Sequence, residues 1–310
     1  MSTEEITRPR AWLMAARPQT LPAAAAPVVV GVGLAVGEGV FRPLPAVAAL
    51  VGAALIQIGT NFANDYYDAV NGADTDDREG FTRVTAGGLI EPPSVKRAMW
   101  LTFAAAILLG TYLVWVGGVP ILVIGLLSVA SGVAYTGGPY PLGYHGLGDL
   151  FVFVFFGLVA VTGTYYVQAA AVVNPAFGTL VPGSELVPLA AVVASLPVAA
   201  LSTNILVVNN VRDREEDATT GKRTLAVRFG YGFARGEFLL FTGAAYIVPV
   251  VFALDGQPTA LLPLLTLPYA ASVARTVVTE TSGDLLNPAL ESTGKLLAAH
   301  AALFAVGLAL

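Results

Sequence analysis

The chain has 310 residues, 55% of them hydrophobic and only 12% charged, with a net charge of −5 and a mean hydropathy of +0.72. Soluble domains carry about 25% charged residues, so this composition points to an integral membrane protein. Without cysteine, disulfides, zinc–thiolate sites and thiol nucleophiles are excluded, and two histidines are too few for a histidine metal cluster.

Residues 1–16 read as a polar, interfacial lead-in carrying Arg8, Arg10 and Trp12, with no small-residue cleavage site of a signal peptide after them. Beyond them the apolar stretches approach or exceed the roughly 20 residues a helix needs to cross about 30 Å of hydrocarbon. They predict nine spans in one transmembrane domain covering 1–310: about 20–37, 44–65, 98–116, 119–136, 149–172, 187–208, 237–254, 258–278 and 293–310. Spans three and four are joined only by Gly117-Gly118, and spans seven and eight by a turn beginning at Asp255. In this topology every Lys and Arg except Arg42 falls on one side, in loops 1–17, 66–97, 209–235 and 275–295. The positive-inside rule makes that side cytoplasmic, with the N-terminus inside, as in a prokaryotic plasma membrane.

The most informative stretch ends span two, where NFANDYYD occupies residues 61–68 and is followed by Gly72 and Asp74. Continued as helix, Asn61, Asn64/Asp65 and Asp68 recur at i, i+3/i+4 and i+7 and share one face. Acids crowded on one face at membrane depth repel one another unless a cation joins them. Carboxylates and water, completed by phosphate, are how magnesium is usually held. A second copy ends span six: Asn209, Asp213 and Asp217 lie at i, i+4 and i+8, with Lys222 and Arg223 just beyond. Two acid faces for metal beside cations for anionic oxygens describe a diphosphate site. The plain alternative is a pair of solvated acidic loops. Acids repeated on a helical face at the ends of two spans weigh against it, because such residues are costly unless used. Asp76, Asp77, Glu79, Glu215 and Glu216 lie off that face and read as solvation.

Two readings stand for Lys222, Arg223, Arg83 and Arg17: topology determinants, or phosphate contacts in which Arg offers a fork and Lys a point charge. Tyr135, Tyr140 and Tyr144 read most simply as interfacial aromatics, and Asp149 as an acid at a helix N-terminus. A weak repeat runs through the chain. Span two, acid cluster, polar loop and hairpin are echoed from span six onward, so two facing halves would bring the clusters together.

The NDYYDAVNGAD and NNVRDREEDATTGKRTLAVRFG segments resemble the two acid motifs of the UbiA superfamily of membrane prenyltransferases. With RPQTLP, and YTGGPYPLGYHGLGD leading into a run ending FFG, residues 17–235 resemble its 1,4-dihydroxy-2-naphthoate polyprenyltransferase branch, which serves menaquinone synthesis. The resemblance implies an all-α fold of about nine transmembrane helices around a central cavity. It also implies magnesium, and transfer of a polyprenyl chain from its diphosphate to dihydroxynaphthoate with loss of CO2, giving demethylmenaquinone. By motif, Asn64, Asp65, Asp68, Asn210, Asp213 and Asp217 would hold diphosphate through magnesium, and Lys222 and Arg223 would contact its oxygens. Arg83 and Arg17 join them as diphosphate candidates, and Asn61, Tyr135, Tyr140 and Asp149 as acceptor contacts. Many members place a third acid four residues after Asp68, where this chain has Gly72; Asp74 comes two residues later, which leaves its place as a ligand open.

In such a reaction cations neutralise the departing diphosphate, and a dry apolar cavity shelters the allylic cation. Decarboxylative attack requires no strong base, and none is obvious in the sequence. Partners are then a prenyl diphosphate, an aromatic acceptor and membrane lipid, not nucleic acid. The rival reading from another class is a cation transporter, since intramembrane acids also mark ion pathways. Rival acceptors are hydroxybenzoate, homogentisate or a glycerophosphate ether lipid.

Overall fold

The computed structural model describes residues 6–72 and 83–310, and among these the regular structure is entirely helical. The helices are α1 (Arg8–Ala16), α2 (Leu21–Gly37), α3 (Pro43–Val70), α4 (Pro92–Gly117), α5 (Val119–Ala134) and α6 (Gly148–Val173). After them come α7 (Leu189–Arg212), α8 (Arg214–Thr219), α9 (Leu225–Leu254), α10 (Pro258–Thr279) and α11 (Gly283–Ala309). Starts follow from sequence: α3, α4 and α10 each carry proline in the first turn, where its preset φ suits a helix and no N–H is needed. Thr224 caps α9, its hydroxyl accepting from the Val227 N–H at 3.4 Å.

Among the described residues eight helical stretches are long and apolar enough to span a membrane, the first running from Arg8 to Gly37. The expected fourth span is α5, which has 16 residues and is the shorter exception. At 1.5 Å per residue it reaches about 24 Å, roughly a fifth short of the hydrocarbon thickness. The lead-in is no loose segment: Ala11 and Ala15 are buried, and Trp12 meets Phe62 of α3 edge to face at 5.9 Å.

Lipid offers no hydrophobic drive between helices, so close backbone approach must supply contact. At Gly33 a β-carbon would lie 2.5 Å from the Ala305 carbonyl oxygen, so glycine lets α2 touch α11. At Gly157, inside the π-helical segment Phe153–Val159 of α6, it would lie 2.1 Å from the Ala199 β-carbon of α7. The outward surface is apolar. Leu101, Leu108 and Trp115, two turns apart on α4, are 65%, 73% and 77% exposed, as a lipid-facing stripe requires.

The repeat expected from sequence is visible in packing. α3 lies along α4 in the first half as α7 lies along α9 in the second. The charged loops gather at one end of the bundle. Asn61 reaches the Ala16 carbonyl, Asn71 the Thr136 carbonyl, Arg228 the His145 carbonyl, and Arg235 the Val277 and Glu280 carbonyls.

Candidate active site

The first acid motif is helical from Asn61 to Asp68, since α3 continues to Val70. Its members do different work. Asn61 donates to the Ala16 carbonyl (2.8 Å) and the Thr20 hydroxyl (2.9 Å), and its own oxygen accepts from Gln57 (3.2 Å). That network pins the turn holding Arg17, whose backbone is left-handed (φ 50°) as it closes α1. Asn64 accepts from the Thr136 hydroxyl at 3.0 Å. Asp65, 1% exposed, accepts the Val84 and Thr85 N–H groups at 3.1 Å each and the Thr85 hydroxyl as well, so its carboxylate anchors the returning loop. Asp68, 3% exposed, takes Arg83 Nη2 at 2.9 Å on one oxygen and the Tyr144 hydroxyl at 2.6 Å on the other. Asp74 lies outside the described residues.

The second motif departs from a simple continued helix. α7 ends at Arg212, and Asp213 (φ −89°, ψ 4°) forms the joint before α8. The Asp217 N–H still donates to the Asp213 carbonyl at 2.8 Å, which keeps the i+4 relation across the bend. Arg212, 6% exposed, grips both oxygens of Asp213 (2.6 and 2.8 Å) and reaches Asn209 (2.7 Å) and Asn287 of α11 (2.8 Å). Asn210 is buried at the same helix end. Lys222 Nζ is 3.6 Å from Asp217 and sits 5.1 Å above the Tyr144 ring.

Tyr144 therefore ties the two motifs together: its hydroxyl donates to Asp68, its ring carries Lys222, and its carbonyl accepts the Arg223 N–H at 2.7 Å. Tyr135 lies between the same groups. Burial, then the Asp149, Asp68 and Asp217 carboxylates, push its phenol well above 10.0. A neutral hydroxyl donor thus stands beside the acids, packed over Gly148. Asp149 is 5% exposed, with Oδ1 lacking a hydrogen-bond partner.

Asn64, Asp68, Asp213, Asp217, Lys222, Arg83, Tyr135 and Asp149 thus belong to, or directly border, one assembly. Others stand apart. Tyr140 is exposed and stacks on His145 at 3.7 Å, and Arg223 is exposed. Sequence reasoning missed Tyr144, read only as an interfacial ring, and Arg212, counted only as a loop cation. Arg212's adjacency to Asp213 inside the motif was the signal available for it; for Tyr144, a tyrosine amid five glycines in residues 137–148, the signal was slight.

The UbiA prenyltransferase family matches residues 24–306. The chain belongs to this family. It is 37% identical to the 1,4-dihydroxy-2-naphthoate octaprenyltransferase of Escherichia coli K12, over 99% of this chain and 98% of that protein. It is 38% identical to the enzyme of the same name from Mycobacterium tuberculosis, over 91% of each. Among solved structures it resembles a UbiA homolog from Archaeoglobus fulgidus bound to DMAPP and Mg2+ (TM-score 0.61, 18% identity, 95% of this chain and 99% of that one). It also resembles an apo UbiA homolog from Aeropyrum pernix K1 (TM-score 0.67, 16% identity, 90% and 96%). At such identities these two likenesses speak for the fold.

Proposed function

We propose that this UbiA protein transfers a polyprenyl chain from its diphosphate to 1,4-dihydroxy-2-naphthoate with loss of CO2, giving demethylmenaquinone in its quinol form. The observation that carries the reading is the bridge Asp68–Tyr144–Lys222–Asp217, which joins two acid motifs and their cations into one anion- and metal-binding surface. The near-full-length relatives named as naphthoate octaprenyltransferases support the acceptor.

Magnesium fits the donors present. They are hard carboxylate and amide oxygens, and among the described residues no three acids close on one point as an all-protein cage. Magnesium usually takes one or two carboxylates and completes its shell with phosphate and water. Asp68 with Asn64 from one motif, and Asp213 and Asp217 with Asn210 from the other, would each offer one or two carboxylates to magnesium, with diphosphate and water completing its shell. Once bound it would neutralise diphosphate charge. Asp65 serves this site indirectly, by fixing the loop that presents Arg83.

The protein's own side chains supply the rest. Arg83 and Lys222 add positive charge where the diphosphate departs, and Tyr144 and Arg212 hold Asp68 and Asp213 in place. The prenyl tail remains in apolar surroundings, which protect the developing allylic cation from water. The site faces the cytoplasm, as the one-sided distribution of Lys and Arg indicates.

The test is purified protein supplied with magnesium, a prenyl diphosphate and a panel of aromatic acceptors. Product with dihydroxynaphthoate is expected. Turnover only with hydroxybenzoate, homogentisate or a glycerophosphate ether lipid would replace the acceptor, and turnover with none would overturn the reading.

A further inference from the structure

Two acids, Asp149 and Glu237, lie outside both acid motifs. Asp149 opens α6, and Glu237 stands two residues after Arg235, where the long apolar run of α9 begins. One turn deeper on each helix, Phe153 and Phe241 stack with ring centroids 5.7 Å apart. The acids lie at i−4 from those rings, so each stands on the helix face that carries its ring, and the side chains of these two faces form a seam where the rings meet. The rotation of α9 is fixed: Asn204 of α7 donates to the Phe238 carbonyl (3.1 Å) and to the Thr242 hydroxyl (2.9 Å). Glu237 is half-buried and within electrostatic reach of Asp149. Among the described residues no ion pair involves either acid, and Asp149 Oδ1 is buried without a partner. Placing two like charges at a membrane seam without a cation is costly unless something bound there uses them.

The seam adjoins the diphosphate assembly through Tyr135, whose hydroxyl lies against Gly148, next to Asp149, and which is within electrostatic reach of Asp149, Asp68 and Asp217. An aromatic acceptor must sit against the reacting end of the prenyl diphosphate. The seam provides what a hydroxylated ring requires there: aromatic rings to stack on, one phenol donor and two carboxylate acceptors.

We propose that Asp149 and Glu237 are the acceptor's proton-handling pair, binding its ring hydroxyl and holding that proton while the ring carbon is alkylated. This rests on the prenyltransferase reading above. The hydroxyl O–H bond breaks and its proton passes to a carboxylate of the pair. The ring carbon forms a bond to the prenyl carbon, whose bond to the diphosphate oxygen breaks with both electrons leaving on the diphosphate. The substituent carboxylate departs as CO2, its electron pair returns to the ring, and the proton goes back to the ring oxygen. No oxidant or net proton is required, and the product is a quinol. A pair that lends and returns a proton explains how a reaction needing no net base can still use one.

The test measures steady-state kinetics of purified full-length Glu237→Gln, Glu237→Asp and Asp149→Asn with dihydroxynaphthoate across pH, beside wild type. General-base assistance is worth on the order of a hundredfold or more. The expected result is a fall of about that size in kcat for Glu237→Gln and Asp149→Asn, with KM for the prenyl diphosphate and the magnesium requirement unchanged. Activity of these two variants should recover at high pH, where the acceptor hydroxyl ionises unaided, and Glu237→Asp should retain most of its rate. Unchanged kcat, or a loss that high pH does not relieve in variants that still bind prenyl diphosphate, would overturn the pair. Failure of wild type itself with every aromatic acceptor would instead overturn the function on which the pair rests.

Discussion

The Tyr144 hydroxyl donates to Asp68 at 2.6 Å while its ring supports Lys222 at 5.1 Å, so one residue of a glycine-rich loop couples the two halves of the bundle. A hydrogen bond to a charged group contributes about 1.5–3 kcal/mol. Tyr144→Phe should therefore lower kcat/KM for the prenyl diphosphate by roughly ten- to a hundredfold. Tyr140→Phe, altering an exposed ring stacked on His145, should leave it unchanged. Parallel steady-state measurements on the two variants decide this.

Asp65 and Asp68 sit three residues apart in one motif, yet they should fail differently. Asp65 holds Val84 and Thr85, so Asp65→Ala should lower thermal stability in detergent by several degrees. Its residual activity should keep the wild-type half-saturation for magnesium. Asp68→Asn should keep the melting temperature closer to wild type while raising that half-saturation. Identical magnesium titrations for both would contradict the division of labour.

Arg212 is buried and makes four hydrogen bonds to Asp213, Asn209 and Asn287. Arg212→Ala removes the buried guanidinium that grips both oxygens of Asp213 and should cost about 3–5 kcal/mol. Arg212→Lys should recover little, because an ammonium cannot reproduce the planar fork. Thermal unfolding of both variants, read against wild type, checks the size and the order.

Tyr135 carries a pH prediction. Its phenol keeps its proton in the folded protein to a higher pH than in the unfolded chain, whose value is near 10.0. The folded state therefore binds more protons above that pH, and stability falls as pH rises through and beyond it. Melting temperature should drop more steeply above pH 10 in wild type than in Tyr135→Phe.

Much of this was legible in the sequence because membrane physics is one-dimensional. Apolar runs of spanning length predict nine helices, eight of which reach that length among the described residues, and the exile of Arg42 alone from the other cations gives the direction expected of them. Only α5 proved shorter than the usual span. The acid motifs were legible because Asn and Asp recur at helical spacing on α3. The bend at Asp213 was not, since the same spacing suits a continuous helix. Nor could spacing show that Asp65 faces the 84–85 loop, or that Asn61 faces Thr20, because both partners lie across tertiary contacts. Tyr144 was misjudged for a related reason: an aromatic near a span end has a generic explanation, and only its long-range bond to Asp68 removes it. Glu237 carried no motif at all. Its meaning lies in Phe241 meeting Phe153.

The central claim is that two converging acid motifs run a decarboxylative prenyl transfer. The most direct measurement supplies labelled prenyl diphosphate and carboxyl-labelled dihydroxynaphthoate to the purified protein with magnesium, and counts both labels. The account predicts one labelled CO2 released per prenylated, lipid-soluble product, with both signals lost in Asp68→Ala and in Asp213→Ala. Prenylated product that retains the carboxyl label, or full activity in either alanine variant, would contradict it.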